Sequence, residues 1–313
     1  MGIRVSEYLG VRVDSKNSII PISANLGNDS EKIRCPFRND KCDKVKRKQH
    51  PVCSVKDTRD NTLWLVCSHR LCSTQPKNAP LNEHQKKILM DVAKYIYYPE
   101  INKSDVLVKR EVQIPITNKS DYYADYVMYI RNPRKISPTI SDCAVVLEMQ
   151  GGGETSNTGK LSKHIKEWAE SDEPSNTFLS QDVNNVSPLV TNAWRRQQEQ
   201  FLVKGNVAMM SGGRMVFCVG TMLYDYLFER IRTGILMDLR GANWTLAVIA
   251  FKEDTIGGPP ACAPCSIPLT IDETRTKFTN YSAFVQALTN QGKPCDAMFK
   301  GAYTSLVDDK VLF

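Results

Sequence analysis

The chain has 313 residues, of which 42% are hydrophobic and 24% are charged, and its formal net charge at pH 7 is +7. This length and composition fit a soluble globular protein with one large domain, or with a core and a smaller module. The longest apolar runs, such as Thr245–Phe251, are too short to cross a bilayer. The first residues do not show the Lys/Arg-flanked apolar stretch that is typical of a signal peptide. We therefore expect neither secretion nor a membrane partner, and we expect a cytoplasmic protein.

Cysteines and positive charge are concentrated near the start of the chain. Between Glu31 and Arg70 there are eleven basic and five acidic residues, so this stretch carries +6 of the total of +7. Five of the ten cysteines lie in nearly the same stretch, namely Cys35, Cys42, Cys53, Cys67 and Cys72. Because no signal peptide is evident, we expect these cysteines to be metal ligands or buried thiols and not a disulfide framework.

The first four of these cysteines have the spacing C-x6-C-x10-C-x13-C. Four thiolates suit a tetrahedral zinc or iron ion, and such an ion would stabilise a stretch that is too polar to form a large core. The spacing has no CxxC pair, so unliganded thiols and redox chemistry stay open as alternatives. His50 or His69 could also replace one thiolate.

A basic run follows the second cysteine and contains Lys44, Lys46, Arg47 and Lys48. A loop held by a metal would present these side chains either to solvent or to phosphate groups. Contact with DNA phosphates would make binding strongly dependent on salt.

Later elements follow from periodicity and turn residues. Pro76 and Pro80 bracket a linker, and a helix is predicted from Asn82, as its cap, to Tyr98. Three strands are predicted next, at Val106–Ile116, Tyr122–Ile130 and Cys143–Gln150, and a meander is the simplest way to pair them. Helices at 159–171, 187–205 and 224–232, strands at 215–219 and 244–251, and a surface loop at 257–268 complete the prediction. The predicted fold class is therefore α/β, with a mixed sheet of α+β type.

Carboxylates interrupt two of the predicted strands. Glu148 and Gln150 end an apolar strand on one face, and Gly151–Gly153 follow them. Asp125 lies among aromatic and β-branched residues on the preceding strand, where an unpaired charge would be costly. If these strands are neighbours, Asp125 and Glu148 can bind Mg²⁺ through oxygen, with Glu111 as an outer ligand. The alternative is structural: Asp125 at the surface, Glu148 paired with a base, and the glycines forming a turn.

The predicted helix 187–205 contains Arg195, Arg196 and Gln198. Arginine suits the acceptors of guanine and glutamine suits adenine, and both can also hold phosphates. The alternative is an ordinary polar helix face.

The order helix, strand, Asp125 strand, Glu148-Met149-Gln150 strand resembles the PD-(D/E)xK nuclease core, with Gln150 in place of the usual lysine. Together with the preceding cysteine stretch, Cys35-Pro36-Phe37 through Val66-Cys67-Ser68-His69-Arg70, it resembles the NotI family of restriction endonucleases. The resemblance covers about Cys35–Gln150.

This resemblance implies a metal-binding, DNA-contacting module at residues 1–76 and a nuclease core at 77–313. It implies iron, or zinc, on Cys35, Cys42, Cys53 and Cys67, and Mg²⁺ on Asp125 and Glu148 with Gln150 beside them. The expected substrate is double-stranded DNA with a GC-rich palindrome such as CGGCCG or GCGGCCGC, cut by a homodimer to leave 5′ overhangs. The setting would be a bacterial restriction-modification system, whose methyltransferase protects host DNA without direct contact. A metal-containing DNA-binding protein without cleavage and a repair or recombination nuclease are the competing hypotheses.

Overall fold

The computed structural model describes residues 1–22, 32–114, 122–131, 144–231, 234–255, 266–290, 292, 296–308 and 310–312. Cys143, Cys262, Cys265, Cys295 and most of the predicted loop 257–268 lie outside these residues. None of the helices in the described ranges is long and apolar enough to span a membrane.

The regular elements are, in chain order, β1 (Gly2–Tyr8), β2 (Val11–Arg12), β3 (Arg34–Cys35), β4 (Asp40–Lys41), α1 (Asp43–Lys46), β5 (Val52–Asp57), β6 (Leu63–Leu65), α2 (Glu83–Ile96), β7 (Val106–Gln113), β8 (Tyr123–Ile130), β9 (Val145–Gln150), α3 (Thr158–Ala169), α4 (Asn176–Leu179), β10 (Val183–Asn184), α5 (Val190–Met210), β11 (Arg214–Gly220), α6 (Thr221–Phe228), β12 (Leu246–Glu253), β13 (Leu269–Thr279), α7 (Tyr281–Thr289), β14 (Tyr303–Thr304) and β15 (Val311–Leu312).

A six-stranded central sheet has the order β13-β12-β11-β9-β8-β7. Strands β7, β8 and β9 form the predicted antiparallel meander, and β9, β11 and β12 are parallel. Every residue of β11 is buried, as are the first six of β12, which explains why both strands are continuous apolar runs. The fold is therefore mixed α/β, as predicted.

Helices cover both faces of the central sheet. Helix α2 packs on one face through Ile88, Leu89 and Val92, and α5, α6 and α7 cover the other. The predicted start of α2 is confirmed, because the Asn82 side chain accepts a hydrogen bond from the Gln85 N–H and the Gln85 side chain accepts one from the Asn82 N–H.

A second sheet has the order β10-β1-β5-β6, with β2 also paired to β1. Its core includes Ile3, Val5 and Trp64, and these residues pack with Leu161 and Trp168 of α3. The second sheet thus combines strands from the first 65 residues with β10 and is covered by α3. The division after residue 76 stays a prediction, since this core contains residues from both sides of it.

Two predicted helix boundaries were wrong. Helix α5 continues to Met210, although the prediction ended it at Gly205. A side chain at position 205 would collide with the ring of Tyr281, so this glycine allows close helix packing and does not end the helix. Helix α6 begins at Thr221 and not at Tyr224, because β11 passes directly into it through Gly220.

Candidate functional site

Asp125 and Glu148 face each other across β8 and β9. The antiparallel register pairs Tyr126 with Leu147 and Val127 with Val146, which places Asp125 opposite Glu148. The Met149 N–H donates to Asp125 Oδ2 at 2.8 Å, and the Asp125 N–H approaches Glu148 Oε1 at 3.4 Å. The meander therefore brings the two predicted carboxylates together.

A third charged group, Lys204 of α5, completes this cluster. Its Nζ lies 2.6 Å from Glu148 Oε2, and the two side chains are only 2% and 5% exposed. Lys204 was not predicted from the sequence, although the sequence contains a signal for it. Phe201, Lys204, Gly205 and Ala208 form the buried stripe of α5, so a lysine occupies a core position at helical spacing.

The electrostatics of the cluster favour an additional cation. Burial and the Asp125 charge raise the pKa of Glu148 to about 8, although the Lys204 charge opposes both effects. Burial also raises the pKa of Asp125, against the Lys204 charge and the Met149 N–H. A hard divalent ion bound through carboxylate oxygens would relieve this repulsion, so Asp125 and Glu148 fit Mg²⁺ chemically.

Gln150 and Glu111 lie close to this pair but are held by other groups. The Gln150 amide donates to the Gly152 carbonyl. Glu111 stands opposite Asp125 in the β7–β8 register, with φ of 47°, and its carboxylate accepts hydrogen bonds from the Thr74 hydroxyl at 2.8 Å and from the Gln75 amide. Its charge still raises the pKa of Asp125. A role for Glu111 as outer ligand stays a prediction.

A cleft of about 850 Å³ opens at the end of β9. One part of its lining comes from the basic run, with Lys44, Arg47 and Lys48, and another from α5, with Arg196 and Gln197. Met149, Gln150 and Gly151–Gly153 also line it, whereas Asp125 and Glu148 are not among its lining residues. The fold therefore joins the predicted basic surface and the carboxylate strand in one cavity.

The glycines let the two sheets approach each other at this cleft. A Cβ at Gly151 would lie 2.6 Å from Leu65 Cδ1, and a Cβ at Gly152 would collide with the Leu65 carbonyl oxygen. These positions require glycine because the backbone after β9 passes directly over β6.

The predicted DNA-contacting residues fall into three groups. Lys44, Arg47, Lys48 and Arg196 line the large cleft, and Arg196 forms an exposed ion pair with Glu154 at 2.8 Å. Arg195 and Gln198 line a separate cavity of about 200 Å³ with Tyr226 and Arg230. Lys46 lines neither of these two cavities. Adjacent positions on a helix point in different directions, so Arg195 and Arg196 of α5 line different cavities.

The four predicted metal-ligand cysteines converge at one end of the second sheet. Cys35 ends β3, Cys42 precedes α1, Cys53 lies in β5 and Cys67 follows β6. Cys67 interacts electrostatically with each of the other three thiols, and burial raises the pKa of Cys35 to about 12. The described cysteines form no disulfides. A donor set of four thiols suits zinc or iron chemically.

Two of the alternative ligands, Cys72 and His69, are engaged by other groups, whereas the buried Nδ1 of His50 has no hydrogen-bond partner among the described residues, so a role for His50 as a ligand stays open. Cys72 is buried with its Sγ 3.5 Å from the Tyr126 hydroxyl. His69 lies with Nε2 2.7 Å from Asp43 Oδ2 and Nδ1 2.9 Å from the Ser73 hydroxyl, so both of its nitrogens have partners. Across the described ranges, no three His, Cys, Asp or Glu side chains stand together as a preformed metal site.

Comparison of the chain with models of protein families gives no match, and comparison with curated proteins gives no significant match. Its function is therefore inferred from the residues and from the geometry of the two sites described above.

Proposed function

We propose that this protein is a type II restriction endonuclease with a PD-(D/E)xK core, similar to the NotI family. The observation that carries the proposal is the cross-strand pair Asp125 and Glu148 on a strand whose last residues, Met149 and Gln150, line a basic cleft. The order of α2, β7, the Asp125 strand β8 and the Glu148-Met149-Gln150 strand β9 also supports it. The proposed substrate is double-stranded DNA with a GC-rich palindrome, CGGCCG or GCGGCCGC, cut by a homodimer to leave 5′ overhangs.

The residues of the cluster would divide the work of phosphodiester hydrolysis. Asp125 and Glu148 would hold Mg²⁺, which when bound neutralises charge on the phosphate and activates water. Gln150 would orient that water by hydrogen bonding, because an amide cannot supply the charge of a lysine. Lys44, Arg47, Lys48 and Arg196 would hold backbone phosphates along the cleft.

The cysteine cluster would act as a structural centre for this cleft. Iron or zinc on the four thiolates would fix α1 and the basic run that follows Cys42, because metal binding then contributes to folding. Metal content measured on Cys→Ser variants of Cys35, Cys42, Cys53 and Cys67 tests this role. Unchanged metal content in all four variants would show that these cysteines do not bind a structural metal ion.

Incubation of the purified protein with phage DNA and Mg²⁺ tests the nuclease. We expect discrete fragments with the wild type and intact DNA with Glu148→Gln, which keeps the side-chain size but removes the charge. Glu170→Gln is the matched control. Glu170 is an exposed carboxylate at the C-terminal end of α3, and its nearest ion-pair partner, Lys166, is 3.7 Å away. Its digestion pattern should equal that of the wild type.

Two other outcomes would identify the competing functions. Intact DNA with a salt-sensitive mobility shift would indicate a DNA-binding protein without cleavage. Nicks, smears or structure-dependent cuts that Glu148→Gln abolishes would indicate a repair or recombination nuclease.

A further inference from the structure

Lys204 is a fixed cation inside the carboxylate cluster. Its side chain is 2% exposed and lies on the buried stripe of α5 between Phe201 and Ala208. The next residue, Gly205, packs so closely against Tyr281 that a Cβ there would collide with the ring. The Lys204 ammonium is therefore held against Glu148 by the packing of the whole helix.

The cluster leaves one oxygen of each carboxylate available. Lys204 Nζ donates a hydrogen bond to Glu148 Oε2 at 2.6 Å, and the Met149 N–H donates one to Asp125 Oδ2 at 2.8 Å. The contact from the Asp125 N–H to Glu148 Oε1 is long, at 3.4 Å. Asp125 Oδ1, which takes part in no hydrogen bond among the described residues, and Glu148 Oε1, whose hydrogen bond is long, are thus the oxygens most open to a metal ion, one from each side chain.

The charge of the cluster also favours one bound divalent ion over two. With both carboxylates ionised, as they must be to bind a metal ion, they and the ammonium carry a net charge of −1, and one divalent cation changes this to +1. A second divalent cation would raise it to +3 in a buried site, where unbalanced charge is costly. A net charge of +1 also matches a single phosphate group.

We propose that Lys204 is a positioning residue that occupies Glu148 Oε2 in place of a second cation, so that the carboxylate pair binds one divalent ion per chain. This inference rests on the proposed metal-binding role of Asp125 and Glu148. It assigns the missing positive charge of the Glu148-Met149-Gln150 strand to Lys204 of α5, which lies 54 residues after Gln150 in the sequence.

Counting Mn²⁺ on the full-length protein by electron paramagnetic resonance tests the proposal. The double variant Asp125→Asn/Glu148→Gln gives the background from all other sites, including the cysteine cluster, and this background is subtracted. The wild type and Lys204→Arg, which keeps the charge, should each bind one ion above background. Lys204→Gln, which keeps a hydrogen-bond donor, should bind a second ion or bind the first at least about tenfold more tightly, because no ammonium repels it.

Each result has a distinct meaning. Two ions on the wild type, or an unchanged count with less than tenfold tightening in Lys204→Gln, would overturn the role of Lys204 alone. A wild type that binds no more Mn²⁺ than the background variant would instead overturn the proposed metal-dependent function. If circular dichroism shows that Lys204→Gln does not fold, the counts on the wild type and Lys204→Arg still decide: one ion on each supports the proposal, and two ions on either overturn it.

Discussion

His84 should make the stability of this protein fall between pH 6.5 and pH 4. The imidazole lies edge-on to the ring of Phe37, at 5.1 Å between centroids, and its Nε2 faces the carbonyl oxygens of Arg70 and Leu71 at 3.1 and 2.9 Å. Burial and the charge of Arg70 lower the pKa of His84 to about 4, although the two carbonyl groups oppose this shift. The folded state therefore keeps His84 neutral where an unfolded chain protonates it.

The magnitude follows from proton linkage. Above pH 6.5 neither state binds the proton, so the free energy of unfolding is unaffected by this group. As the pH falls below 6.5, the unfolded state gains a proton that the folded state binds only near pH 4, and the folded state loses stability. The full loss is about 3 kcal/mol, and about 2 kcal/mol of it is present at pH 5.

Urea unfolding of the wild type and His84→Gln, followed by tryptophan fluorescence at pH 7.5 and pH 5, measures this effect. The glutamine amide can donate to the same carbonyl groups but does not titrate. We expect the stability advantage of the wild type over the variant to shrink by about 2 kcal/mol on going to pH 5. Other titrating groups cancel in this difference. Parallel pH dependence of the two proteins would refute the assignment to His84.

Three further predictions concern packing and charge. Gly152→Ala should lower the free energy of unfolding by at least about 2 kcal/mol, because the new Cβ would collide with the Leu65 carbonyl oxygen. Gly159→Ala, which has open space in the first turn of α3, should raise it by about 0.5 kcal/mol, and equal effects would contradict both predictions. Arg70→Met should cost about 3–5 kcal/mol, because it leaves the fully buried Glu7 carboxylate, now 2.7 Å from the guanidinium, without its ion pair. Adding Glu7→Gln should recover part of that loss, and strict additivity in urea unfolding would argue against a coupled pair.

Local patterns in the sequence were sufficient to predict most elements that pack against β8 and β9. The apolar periodicity and the Asn82 cap predicted α2, and the runs of β-branched and aromatic residues predicted β7, β8 and β9. These signals are local, because capping and alternation depend on neighbours within a few residues. Strand β13 was missed since its sequence, LTIDETRTKFT, is polar on one face, as suits the edge of a sheet.

The sequence by itself determined the candidate carboxylates and the cysteine spacing, since these are chemical identities at fixed positions. Only the tertiary structure placed Asp125 opposite Glu148, because strand register depends on how the meander closes. It also brought Lys204 to Glu148 and turned Arg195 away from the cleft that Arg196 lines. Helix rotation against a sheet is set by packing of distant side chains, and no pattern within the helix alone specifies which residue it will meet.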